Sequence, residues 1–124
     1  MAQRNTQQRE AIRQALERVD RPLSPEQIRE AAAVVCGSIG IATVYRAIRA
    51  GLEAGWLRGV EIPGLGTHYE LADKEHHHHF ACRGCGEVFD VAGCPGDLQS
   101  LTPGGFKLED HDVLLHGLCE GCNA

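Results

Sequence analysis

The sequence predicts an α+β chain of two small domains, an N-terminal winged helix-turn-helix followed by a compact metal-binding lobe. Three observations predict it. Residues before Gly55 carry helical apolar spacing with clear start and stop signals, and two strand-like runs follow. Two Cys-x-x-Cys pairs and a run of four histidines then crowd the second part. Charge changes at the same place. Residues 1–72 hold nine Arg and no Lys against eight acids (+1), and residues 73–124 hold three cations against nine acids (−6), which together make the net charge of −5. Five of the six Cys and six of the seven His also lie after Asp73. We therefore divide the chain into domains at 1–72 and 73–124.

The elements of the first domain follow in order. Residues 6–18 place Ile12, Ala15, Leu16 and Val19 on one helical side, with Thr6 read as the N-cap. Ser24-Pro25-Glu26-Gln27 starts a second helix: Ser24 caps, Pro25 suits the first helical position, and Gln27 completes a capping box. Ile28 and Ala31 to Ala33 form its apolar side. Cys36 to Gly40 read as a turn. A third helix, about Ile41 to Glu53, stops at Ala54-Gly55 and repeats Val44, Ile48 and Leu52 every four residues. Thr43, Tyr45, Arg46 and Arg49 are left to face outward. Trp56 to Ile62 and Thr67 to Leu71 form strands around a Pro63-Gly64-Leu65-Gly66 turn. Three helices and a hairpin make a winged helix-turn-helix, whose third helix suits the major groove of DNA. A small helical domain that binds a protein is the competing reading.

In the second domain, Cys82-Arg83-Gly84-Cys85 and Cys119-Glu120-Gly121-Cys122 are two knuckles with 33 residues between them. Each turns tightly enough for both sulfurs to reach one ion, and together they complete a tetrahedral thiolate shell. Four thiolates with no open position suit a structural zinc. A redox dithiol pair is the alternative. Ahead of the first knuckle stands Glu75-His76-His77-His78-His79, inside the chain and so not a purification tag. On a strand, alternation would send His77 and His79 to one face and His76 and His78 to the other. Glu70, Asp90, Asp97 and His111 are further donors, each of them an ordinary solvated group unless the fold makes them converge.

Composition narrows the function classes. Hydrophobic residues are 43% of the 124, as in soluble globular chains, but aromatics are only 5%, so a small lobe needs a metal, a disulfide or a partner subunit. No apolar run is long enough to span a membrane and no signal peptide is evident, which points to the cytoplasm and no membrane partner. In that compartment Cys-x-x-Cys pairs are metal ligands or redox groups more often than disulfides. No open three-ligand site stands beside a general base, so an enzyme is not expected.

Over nearly its whole length the chain resembles the ferric uptake regulator superfamily. The resemblance rests on Gly40-Ile41-Ala42-Thr43-Val44-Tyr45-Arg46, on His77-His78-His79-Phe80-Ala81-Cys82-Arg83-Gly84-Cys85-Gly86, and on His111 with Gly117-Leu118-Cys119-Glu120-Gly121-Cys122. It implies a homodimer with N-terminal winged helices and a C-terminal α/β dimerisation domain, bound to a palindromic double-stranded DNA operator. It implies structural zinc on Cys82, Cys85, Cys119 and Cys122. A sensory hinge site would use His77 and His79 with Glu70. A further site would draw on His76, Asp97 and His111, with Asp90 open to either set.

Two departures bear on the metal. Members that sense iron or peroxide commonly carry a hinge His just before the second helix, where this chain has Arg21-Pro22-Leu23. His68, two residues before Glu70 on the same strand face, is then expected to close the hinge site. The four-His run and Cys94-Pro95 resemble zinc uptake regulators, including those of cyanobacterial type, and four mixed donors suit zinc better than six-coordinate iron. Cys94 is either an extra zinc ligand or a buried small residue, and Cys36 is expected in the core. The expected function is a zinc-responsive repressor of metal uptake genes, with a regulatory zinc at the hinge and a possible third zinc. Tyr45 would touch a thymine methyl or base edge, Arg46 would reach guanine or phosphate, and Arg9 and Arg49 would hold the DNA backbone. An iron or peroxide sensor of the same fold is the alternative, and a zinc storage protein or metallochaperone a more distant one.

Overall fold

The computed structural model describes residues 2–124, and side chains from residue 6 onward. The chain forms two compact units, residues 1–74 and 75–124.

In the first unit, helix α1 (Ala2–Val19), α2 (Pro25–Cys36) and α3 (Ile41–Ala54) precede the hairpin β1 (Leu57–Ile62) and β2 (Gly66–Leu71). Helix α1 begins four residues before Thr6, so Thr6 lies inside the helix rather than capping it. The chain leaves α1 through Asp20 in a left-handed conformation (φ 56°), a backbone region that a short polar side chain tolerates better than most. At the start of α2 the capping box is complete: the Gln27 N–H donates to Ser24 Oγ at 3.2 Å and the Ser24 N–H to Gln27 Oε1 at 2.9 Å. Helices α2 and α3 meet at 102°, the angle of a helix-turn-helix.

The core of this unit gathers Ala11, Ile12, Leu16, Leu23, Ile28, Ala32, Ile39, Val44, Ala47, Ile48 and Leu57. Leu52 does not join it. Its place on the inner side of α3 goes to Ala47 and Gly51, and Leu52 is exposed. The reason is close approach: a Cβ on Gly51 would stand 3.0 Å from both Leu57 Cβ and the Trp56 ring, so a larger residue here would have to push these neighbours back. Leu23 and Tyr69 exchange backbone hydrogen bonds (2.9 and 2.8 Å), which ties the link between α1 and α2 to the wing. Cys36 is half-buried against the core.

The second unit is a three-stranded sheet of order β4-β3-β5, with β3 (His78–Cys82) central, β4 (Val88–Val91) antiparallel to it and β5 (Leu114–Gly117) parallel to it. His76 and His77 precede β3 rather than lying in it. Between β4 and β5 the only helical element among the described residues is one 3-10 turn, Gln99–Leu101. The buried side chains of this unit are few: His78, Ala81, Cys82 and Val88. So small an apolar core contributes little to stability, and a lobe of this kind is reinforced by a metal, a disulfide or a partner subunit. No single helix among the described residues is long and apolar enough to cross a membrane.

Candidate metal centres and nucleic-acid interface

Parallel pairing of β3 with β5 builds the first centre. Two parallel strands end on the same side, and each here ends in a Cys-x-x-Cys knuckle. Cys82 is the register partner of Gly117, and the Arg83 N–H donates to the Gly117 carbonyl at 2.7 Å. The sulfurs of Cys82, Cys85, Cys119 and Cys122 consequently lie within 4.8 Å of one another. Cys82 Sγ is buried and accepts backbone N–H groups from Gly84 (3.3 Å), Cys85 (3.5 Å) and Cys119 (3.3 Å). Donors from Cys85 above all, then Cys119 and Gly84, pull the Cys82 thiol down to about 6 against the cost of burial. Cys122 is pushed up to about 12 by its neighbouring sulfurs Cys82 and Cys119. One thiolate is thus prepared by the backbone, and four can coexist only around a cation. Gly84 shows how tightly the knuckles meet, since a Cβ there would be 2.8 Å from Cys122 Sγ. The donor set and this close approach fit a tetrahedral zinc.

The two faces of the histidine run divide as alternation requires. On one face, the His77 and His79 rings are 4.7 Å apart, and their Nε2 atoms lie 3.5 and 3.7 Å from Asp90 Oδ1. Asp90 arrives there because it is the register partner of His79 across the β3–β4 ladder. On the other face, His76 and His78 have ring centroids 4.6 Å apart, with His111 at 4.9 Å from the first and 5.1 Å from the second. Cys94 joins them, its Sγ 3.2 Å from His111 Nε2, and the four residues offer donor atoms within 4.8 Å of one another. His78 is almost fully buried and its Nε2 has no hydrogen-bond partner. Both sets fit a metal by donor chemistry, and the second also by this orphaned nitrogen.

Other expected donors are placed as follows. Asp97 does not join His76 and His111; its Oδ1 accepts the Gln99 N–H at 2.8 Å and starts the 3-10 turn. Cys94 is exposed, which removes the reading of it as a buried small residue. His68 is buried in the first unit with Nδ1 3.3 Å from the Gly66 carbonyl, and burial lowers its pKa. The Glu70 carboxylate is buried in the same unit, with Arg58 Nη2 at 2.7 Å and Lys74 Nζ at 3.7 Å on its two oxygens. His78 was missed as a site residue by the sequence reading. Its signal was present, because the alternation that paired His77 with His79 also paired His78 with His76.

On the first unit, α3 presents Tyr45, Arg46 and Arg49 to solvent, with Thr43 half-buried at their edge. Arg46 Nη2 donates to Thr43 Oγ1 at 3.0 Å, so one guanidinium is already aligned along the helix. Arg9 is exposed on α1. An outward aromatic with flanking arginines on the second helix of a helix-turn-helix can reach base edges and phosphates together.

The model of the "Ferric uptake regulator family" matches residues 1–116. The ferric uptake regulation protein of Campylobacter jejuni is 34% identical over 125 residues, covering 95% of this chain and 78% of its own. The solved Helicobacter pylori ferric uptake regulator Fur, described as having three functional metal binding sites, superposes with a TM-score of 0.76 at 28% identity, covering 94% of this chain and 80% of its own. FurB of Mycobacterium tuberculosis, a zinc uptake regulator, gives 0.55 at 27% identity over 96% of this chain and 95% of its own. The chain belongs to the ferric uptake regulator family of metal-responsive transcriptional regulators.

Proposed function

We propose that the chain is a zinc-responsive repressor of metal uptake genes, acting as a homodimer on a palindromic operator, and not an enzyme. The observation that carries the metal assignment is the stretch before α2. Iron and peroxide sensors commonly place a hinge histidine there, whereas here Pro22 and Leu23 are buried and their side chains offer no metal ligand. What remains is a small set of nitrogen and carboxylate donors, His77 and His79 with Glu70 proposed from the first domain, closed by His68 or Asp90. Such a set suits four-coordinate zinc better than a six-coordinate ion that favours oxygen. Similarity to a zinc uptake regulator supports the same reading.

In this reading the four cysteines of the knuckles hold a structural zinc, and His76, His78, Cys94 and His111 hold a third. A bound zinc supplies a divalent charge that donors from both domains can share. The chain's residues do the rest. His79 and Asp90 are held by the sheet, His77 stands just ahead of it, and Glu70 is carried on the wing. Joining them fixes the winged helix relative to the dimerisation domain, so that the entropy of ordering it is not lost when DNA binds. The effector shifts affinity only through its preference for that ordered form. Tyr45 and Arg46 then contact bases, and Arg9 and Arg49 contact phosphates.

The test is to select duplexes from a random pool with the zinc-loaded protein and titrate the winning operator in buffered zinc, iron(II) and manganese(II). Tight binding at the lowest free zinc supports the proposal. Activation by iron or manganese alone assigns the protein to the iron-sensing alternative.

A further inference from the structure

The group formed by His76, His78, Cys94 and His111 contains one sulfur among three imidazoles, and that sulfur belongs to an exposed residue, as His76 does, while His78 is buried and His111 half-buried. Residues 92–97 are all exposed and lie outside strand and helix, so nothing in that stretch covers Cys94. By contrast His78 is almost fully buried, its Nδ1 accepts the Val113 N–H at 3.1 Å, and its Nε2 is orphaned. His111 Nε2 stands 3.2 Å from Cys94 Sγ. A rigid, buried imidazole end is therefore completed by a thiol on an open loop.

We infer that this group is a peroxide-labile zinc site, in which Cys94 is both the charged ligand and the point of release. The inference rests on the proposed occupancy of the third group by zinc. Three neutral imidazoles carry no charge, so the Cys94 thiolate supplies the anionic donor of the set. Zinc-bound thiolate keeps its nucleophilic lone pair, and accessible thiolates are those that peroxides oxidise. Hydrogen peroxide is the oxidant. The Cys94 sulfur lone pair attacks one peroxide oxygen, an S–O bond forms, the O–O bond breaks, and hydroxide leaves. Sulfur is oxidised by two electrons, peroxide is reduced, and zinc stays divalent. The product is a neutral sulfenic acid, a poor ligand, and the site is left with imidazoles alone.

The cysteine knuckles respond differently because they hold more than one anionic donor. Cys82 is buried beneath three N–H donors, and although Cys85 is exposed, loss of one thiolate from the four still leaves three anionic donors. Loss of Cys94 leaves none. Replacement of Cys94 by Asp keeps an anionic donor that peroxide does not oxidise, which separates ligation from redox chemistry.

The experiment uses full-length zinc-loaded protein. Zinc content of wild type, His78→Ala and Cys94→Asp is measured first by native mass spectrometry. Zinc release to a chromogenic chelator is then followed after addition of peroxide stoichiometric with protein, with peptide mapping of each cysteine. We expect His78→Ala to hold one zinc fewer than wild type, and Cys94→Asp to hold the full number. Peroxide should release one zinc from wild type, with one oxygen added on Cys94, and at least tenfold less from Cys94→Asp. Equal zinc content in wild type and His78→Ala overturns the inference at the occupancy step. Equal release from wild type and Cys94→Asp, or oxidation confined to the knuckle cysteines, overturns it at the redox step. Operator response to zinc through His79 is read separately, so neither failure is confused with failure of the hinge proposal.

Discussion

A methyl group on Gly84 would stand 2.8 Å from the sulfur of Cys122, closer than real Cβ atoms approach anything. The two knuckles thus meet through a glycine whose missing side chain is part of the metal centre. Gly84→Ala should displace Cys122 and weaken zinc retention at least tenfold in chelator competition, equivalent to about 1.4 kcal/mol. Gly93 has nothing within 4 Å of a built Cβ, and Gly93→Ala should stay within about 0.5 kcal/mol of wild type. Equal zinc retention in the two variants would remove the steric argument.

Cys119→Ser should cost more, because metal-binding energy in so small a lobe is folding energy. The second domain should lose its zinc and unfold or leave the dimer, and a strong chelator should do the same to wild type. Circular dichroism with sedimentation velocity checks both. A Cys119→Ser protein that remains dimeric, stable and fully zinc-loaded contradicts the structural role.

Glu70 is a fully buried carboxylate whose charge is balanced by Arg58 and Lys74. Arg58→Met should leave it short of a partner and destabilise the metal-free protein by about 1–3 kcal/mol, the cost of an unsatisfied buried polar group. If Glu70 is the donor from the first domain, zinc should take over part of that balance. Chemical denaturation with and without zinc should then show a smaller loss in the loaded protein. An identical loss in both states would argue that Glu70 serves the ion pair alone.

On the DNA face, Tyr45→Ala should cost about 1–3 kcal/mol and relax preference at a base pair. Arg49→Ala should weaken all sequences alike and flatten the salt dependence by roughly one phosphate contact. Binding assays over a range of salt on the selected operator and a scrambled duplex separate the two. Unchanged affinity in both variants moves recognition off α3.

The parts of this structure that were legible in the sequence are those governed by local chemistry. The Ser24–Gln27 capping box, the glycine stop after α3 and the hairpin turn at Pro63–Gly66 each act over a few residues, and each is found. Leu52 misled because a strict four-residue repeat ignores what a neighbouring strand needs, namely the bare backbone of Gly51. Thr6 misled because α1 continues beyond it toward the N-terminus. The histidine faces were readable from alternation, but which carboxylate or thiol meets them depends on pairing across the sheet. Asp90 reaches His79 through the β3–β4 register, and Cys94 displaces Asp97 beside His111 through the path of an irregular loop. Neither is visible in spacing along the chain.

The central claim is that zinc acts through His77 and His79. Its most direct test is operator affinity measured against buffered free zinc for wild type and His79→Ala, with zinc content recorded at each point. We predict that wild type tightens at least tenfold on zinc, about 1.4 kcal/mol of coupling. His79→Ala should keep its dimer and knuckle zinc yet bind the operator with the weak, zinc-independent affinity of the metal-free protein. Full zinc responsiveness in His79→Ala would contradict the account.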